Sequence, residues 1–213
     1  MDLLEAIHTT PTCRFYKSDP VPDAVLARVL DAARFAPTGG NRQPVRFVVV
    51  RDAAKRKRLA ELYLPPWERY VAGIAQGKVR VGGVPKLVAN ADHFAHHLAE
   101  LPVLIVVCAR LADVQPTDAA LGRLSIVGGA SVYPAVQNLL LAARGEGLGS
   151  TLTTLLCAVE PQVKQLLAIP EDISTAATIA LGWPARPFPK RLSRRPLAEI
   201  AFLDRYGDAL PTM

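Results

Sequence analysis

Three histidines, His93, His96 and His97, stand at i, i+3 and i+4 in a stretch of helical character. That spacing can set two metal ligands on one helix face. No glutamate occupies the general-base position of a zinc-protease helix, and the remaining histidine is His8. The trio therefore reads as the polar side of an amphipathic helix, and no metal site is expected. Nucleophilic catalysis has no visible apparatus either: there is no Gly-x-Ser-x-Gly and no carboxylate pair flanked by aromatic residues. The three cysteines, Cys13, Cys108 and Cys157, include no Cys-x-x-Cys, which argues against a zinc or dithiol centre. Val106-Val107-Cys108-Ala109 and Leu155-Leu156-Cys157-Ala158 look like core, where a free thiol behaves as a small hydrophobe.

The segment best suited to a ligand is Ala36-Pro37-Thr38-Gly39-Gly40-Asn41-Arg42-Gln43-Pro44. Gly39 and Gly40 let the backbone approach a flat molecule. Thr38, Asn41 and Gln43 offer short polar groups for the carbonyl and imide edge of a heterocycle, although a plain polar turn has the same composition. Thr12-Cys13-Arg14 lies near the N-terminus, and Arg194-Arg195-Pro196-Leu197 near the C-terminus. Two distant arginine sites with a hydroxyl are what one phosphate monoester needs. Thr153, Thr154 and Leu155 follow a Gly-Leu-Gly turn and offer hydroxyls and N–H groups to a ring.

The elements that must position these groups follow from periodicity. Val25, Leu26, Val29, Leu30 and Ala33 predict a helix over 23–36, closed by Pro37. The β-branched run 46–50 predicts a buried strand. Helical spacing resumes over 52–63. Residues 64–90 are interrupted by Pro65-Pro66, Gly73, Gly77, Gly82-Gly83 and Pro85 and read as a lid or a surface excursion. The run 102–109 is apolar on both faces and predicts a central strand. A helix over 129–143, starting near Tyr133, is apolar nearly all round, which suits a core or an interface. Helix 160–167 and strand 175–181 follow. Residues 198–203 predict a last short strand with no obvious partner in the chain. Elements do not alternate as β-α-β units, which disfavours a parallel Rossmann sheet. The glycine cluster Gly145-Glu146-Gly147-Leu148-Gly149 follows a helix and lacks the context of a dinucleotide fingerprint.

The chain has 213 residues, half of them apolar, and a net charge of +6. This suits one medium domain over 1–213 with a sizeable core. No run approaches the roughly 20 apolar residues of a membrane span. Met1-Asp2-Leu3-Leu4-Glu5 lacks the basic flank of a signal peptide, so a cytoplasmic location is expected. The basic clusters 51–58 and 186–195 admit a phosphorylated ligand or a solvated face. Nucleic-acid binding is disfavoured for want of any accompanying recognition motif.

Taken in order, these motifs resemble the FMN-dependent nitroreductase family. Thr12-Cys13-Arg14-Phe15-Tyr16, the 36–44 segment, Arg46–Val50, Ala135–Ala143, Gly147-Leu148-Gly149, Leu181-Gly182-Trp183-Pro184 and Arg194-Arg195-Pro196-Leu197 occur in the family's order. The resemblance implies an α+β fold with a mostly antiparallel central sheet flanked by helices. It also implies an interlocked homodimer that exchanges C-terminal arms, which would explain the orphan strand at 198–203. FMN would be the cofactor and NADH or NADPH the electron donor. By that resemblance Thr12, Arg14 and Arg194, helped by Arg195, hold the FMN phosphate. Thr38, Asn41 and Gln43 meet the ribityl chain and pyrimidine edge, and Thr153, Thr154 and Leu155 lie along the N5 side. The implied reaction is ping-pong hydride transfer through flavin N5 to nitroaromatic or quinone-like acceptors, with no obligatory side-chain acid or base. A dehalogenase or flavin-fragmenting enzyme on the same scaffold is the alternative, and a cofactor-free basic nucleic-acid-binding protein the more distant one. The family's usual pair of arginines before the hydroxyl residue is replaced by Thr10-Pro11, leaving one phosphate cation fewer.

Overall fold

The computed structural model describes residues 1–79 and 85–211. Its centre is a four-stranded antiparallel sheet in the order β1-β2-β4-β3. The strands are β1 (Val45–Val50), β2 (Val103–Arg110), β3 (Gly149–Thr153) and β4 (Ile173–Gly182). β2 is buried at seven of its eight positions, as its uninterrupted apolar run predicts, because it lies between β1 and β4 with helices on both faces. Side chains alternate across a strand, so the sheet feeds two cores. Val103, Ile105, Val107, Ile179 and Leu181 face α2 (Asp23–Arg34) and α5 (Tyr133–Gly145). Leu104, Val106, Cys108 and Ala180 face α3 (Ala53–Ala75), α4 (Pro85–His96) and α6 (Glu160–Leu167).

The expected helices at 23–36, 129–143 and 160–167 and the strands at 46–50, 102–109 and 175–181 are present with small shifts at their ends. A further helix, α1 (Leu3–Thr9), is capped by the Asp2 carboxylate, which accepts from the Leu4 and Glu5 N–H groups at 2.9 and 3.3 Å.

The expected break at Pro65-Pro66 does not occur. α3 runs through both prolines to Ala75. Each proline deletes one helical hydrogen bond, and the loss is offset by burial of Leu59, Tyr63, Pro66 and Trp67 against the sheet. α4 then begins at Pro85, so much of the expected excursion is two helices. Its glycine pair Gly82-Gly83 lies outside the described residues.

The strand expected at 198–203 is not formed within the chain. A single turn at Leu197–Glu199 and one bridge between Phe202 and Ala209 replace it. One free sheet edge, that of β3, is already occupied near its start by Thr12, which bridges Ser150 in parallel.

The basic cluster 51–58 is largely spent on internal bonds. Arg56 donates to the carbonyls of Arg51 and Pro102 at 2.8 and 2.9 Å. Arg51 pairs with Asp23, and Arg58 with Glu61.

Candidate functional site

Residues 11–17 run as a short extended segment along β3 and the chain beyond β4. Cys13 N–H donates to Ser150 O at 2.9 Å, Lys17 N–H to Trp183 O at 2.8 Å, and Ala185 N–H to Phe15 O at 2.9 Å. Gly149 permits this closeness: a Cβ there would stand 2.6 Å from Cys13 Sγ. Thr151 Oγ1 donates to Cys13 O and stands 2.8 Å from the Tyr16 hydroxyl. With the threonine proton committed, Tyr16 is the donor. Burial pushes the Tyr16 phenol well above its ordinary range and keeps it neutral. The bonds fix Thr12 and Arg14 against the strand.

Between this segment, the end of β3 and the α3–α4 pair lies a cavity of about 330 Å³. It is lined by Thr12 and Arg14, by Thr151 to Leu155, by Tyr63, Trp67, Tyr70 and Ile74 of α3 and by Leu87, Val88, Ala91 and Phe94 of α4. Tyr63 OH is 3.2 Å from Thr153 Oγ1, which also accepts from Leu155 N–H at 3.4 Å. Burial raises the Tyr63 phenol as well. The Trp67 indole donates to Asp92 Oδ1 at 2.8 Å and joins the two helices.

Arg14 is the electrostatic centre of the site. It is half-buried, desolvation lowers its pKa, and among the described residues it has neither a carboxylate nor a hydrogen-bond acceptor. A guanidinium so placed is made for an anion with several acceptor oxygens.

Five of the ten expected site residues therefore share one cavity: Thr12, Arg14, Thr153, Thr154 and Leu155. Thr38, Asn41 and Gln43 do not line it. Their loop joins α2 to β1, and β1 is the sheet edge opposite to β3. The loop is self-organised. Gln43 N–H donates to Thr38 Oγ1 at 3.1 Å, Gln43 Nε2 to Asn41 Oδ1 at 3.1 Å, and Gly39 N–H to Ser131 Oγ at 3.0 Å. Gly40, Asn41 and Gln43 have φ values of 60°, 52° and 51°. For Gln43 this is costly backbone, of the kind that clusters at ligand-facing turns. Arg194 and Arg195 are exposed and line neither this cavity nor its neighbour; Arg194 donates to the adjacent Ser193 carbonyl at 2.8 Å.

Sequence reasoning missed the aromatic wall. Tyr63, Trp67, Tyr70 and Ile74 recur at helical spacing and would have been found by carrying the helix through the two prolines. His93 and His97 stack at 3.9 Å, and His93 stacks on Phe15 at 4.6 Å. The Nδ1 atoms of His96 and His97 lie 2.9 and 2.7 Å from the carbonyls of Asp92 and His93. Among the described residues no cluster of three or more ligating side chains could hold a metal ion.

The family model described as "Nitroreductase family" matches residues 7–183. The NADH dehydrogenase of Thermus thermophilus is 32% identical over 181 residues, spanning 81% of this chain and 82% of that protein. The 5,6-dimethylbenzimidazole synthase of Rhodospirillum rubrum is 30% identical over 191 residues, spanning 86% of this chain and 85% of that protein. A BluB-like flavoprotein from Clostridium difficile 630 shares the fold at a TM-score of 0.73 and 21% identity, over 96% of this chain and all of that one. With a family match from residue 7 to residue 183, across both cores and the cavity between β3 and α3–α4, this chain belongs to the nitroreductase family.

Proposed function

We propose that this protein is an FMN-dependent NAD(P)H oxidoreductase that reduces nitroaromatic or quinone-like acceptors as a homodimer. The observation that carries this reading is the half-buried Arg14, without a partner among the described residues, in one cavity with Thr12 and with the apolar and aromatic side chains of α3 and α4. That combination suits a cofactor that carries both a phosphate and a flat ring system. FMN, when bound, supplies the centre that accepts a hydride from a nicotinamide and passes it on. Thr12 and Arg14 would hold the phosphate. The Thr153–Leu155 turn would present N–H and hydroxyl groups to the ring, and the α3–α4 wall would keep water out. Thr38, Asn41 and Gln43, outside the cavity of their own chain, would complete a second chain's site. The two chains then form two sites, each incomplete alone.

On this reading hydride enters and leaves at one flavin face, so donor and acceptor bind in turn, and steady-state kinetics should be ping-pong, with the oxidised nicotinamide leaving before the acceptor enters. The decisive experiment is a spectrum of the purified full chain followed by turnover. Flavin absorbance, stoichiometric FMN and NAD(P)H oxidation dependent on a nitroaromatic or quinone are expected. A colourless chain that takes up no flavin would overturn the reading. The 30% identity to the Rhodospirillum rubrum synthase favours one alternative, flavin fragmentation on the same scaffold. FMN recovered intact after many turnovers would exclude it.

A further inference from the structure

A second cavity of about 330 Å³ adjoins the first and shares Thr12 and Arg14 with it. Its remaining polar lining includes Arg186 and Asn90. The Tyr16–Pro184 bridge and the Ala185 N–H bond to Phe15 O hold residues 184–186 alongside residues 14–16. The Arg186 guanidinium lies 3.3 Å from the centre of the Phe15 ring. Like Arg14, Arg186 has no ion pair or hydrogen bond among the described residues. Arg14 and Arg186 line this cavity with no acidic side chain among its described lining, and a dianion seated there would supply the counter-charge. Cation–π stacking on Phe15 spares Arg186 some of the side-chain entropy of waiting in place.

We infer that Arg186 is the second cation of the phosphate site, replacing the arginine pair that Thr10-Pro11 lacks. This rests on the FMN reading above. The chemistry is that of a phosphate monoester clasped by two guanidinium groups and the Thr12 hydroxyl.

The test is a fluorescence titration of the full chain, freed of bound flavin, with FMN and with riboflavin, which has the ring but no phosphate. Arg186→Ala should raise the Kd for FMN roughly tenfold, the scale of one charge-assisted bond at an exposed site. Arg186→Lys should recover part of the loss, and riboflavin affinity should stay within about twofold. The inference is overturned if Arg186→Ala binds FMN as the parent does while the parent binds FMN tightly. It is equally overturned if FMN and riboflavin weaken together, since Arg186 would then act on the ring or the fold. A parent chain that binds neither flavin overturns the FMN reading itself, and this inference with it.

Discussion

At the level of single residues the proposed phosphate site rests on Arg14, a half-buried guanidinium with no hydrogen-bond acceptor among the described residues. Arg14 lines both adjoining cavities of the candidate site and meets no carboxylate among the described residues. A charge-assisted bond is worth about 1.5–3 kcal/mol. Arg14→Ala should therefore weaken FMN binding on the order of 10- to 100-fold, with circular dichroism unchanged; an unaltered Kd would remove Arg14 from the site. Cys108 makes a different kind of prediction. Burial pushes its thiol up to about 11 from an ordinary value of 9.0. In the unfolded chain the thiol ionises near 9.0, whereas the folded chain resists until about 11. The native state thus loses stability as pH rises through that window, on the order of 2 kcal/mol when complete. Denaturation midpoints of the parent should fall over that range, and Cys108→Ala should flatten the fall. Equal slopes for the two proteins would contradict it.

At the level of elements, the site depends on two contacts between segments distant in sequence. The first is the seam between residues 11–17 and β3, which Gly149 allows by lacking a side chain. Gly149→Ala overpacks that seam against Cys13. A cost of about 1–3 kcal/mol is expected, together with weaker FMN binding, because Thr12 and Arg14 move with the segment. Loss of stability with unchanged FMN affinity would show that the segment does not position the phosphate groups. The second is the bond from Trp67 of α3 to Asp92 of α4. Asp92→Ala should cost about 1 kcal/mol in urea denaturation and alter tryptophan fluorescence, because the indole loses its acceptor. It should also raise KM for the acceptor more than it changes FMN affinity, since α3 and α4 supply the apolar and aromatic lining of the cavity.

At the scale of the whole molecule, Leu124 is 87% exposed and Ile126 77%, both on a loop pinned by Asp118, which accepts from Ser125 Oγ, Ile126 N–H and Arg123. Leu3, Leu4 and Ile7 of α1 are exposed as well. These are the side chains that the proposed homodimer would cover. An obligate homodimer with an interface above about 2,000 Å² is expected by sedimentation. Leu124→Glu, which disturbs nothing inside the chain, should shift the dimer toward monomer and release FMN, because the loop at Thr38–Gln43 would no longer reach a second chain's cavity. A stable monomer that retains flavin would refute the composite site.

The sequence by itself determined three of the four strands and the helices α2, α5 and α6, because burial on one face or both leaves a periodic trace in side-chain type; β3, whose Gly149–Thr153 run carries no such trace, was legible only as a turn followed by polar groups. β2 shows it at both faces and α2 at one. The family was legible for a related reason: short polar motifs kept their order between those elements. Three things were decided only by tertiary structure. α3 persists through Pro65-Pro66 because the core beneath it outweighs two lost hydrogen bonds, an energy no local pattern records. Arg186 shares a cavity with Arg14 because backbone pairing brings residues 184–186 back to residues 14–16, a closure far along the chain. Thr38, Asn41 and Gln43 sit away from Arg14 because their loop leads into β1, at the sheet edge opposite to β3, and no spacing in the sequence reveals the order of strands in a sheet.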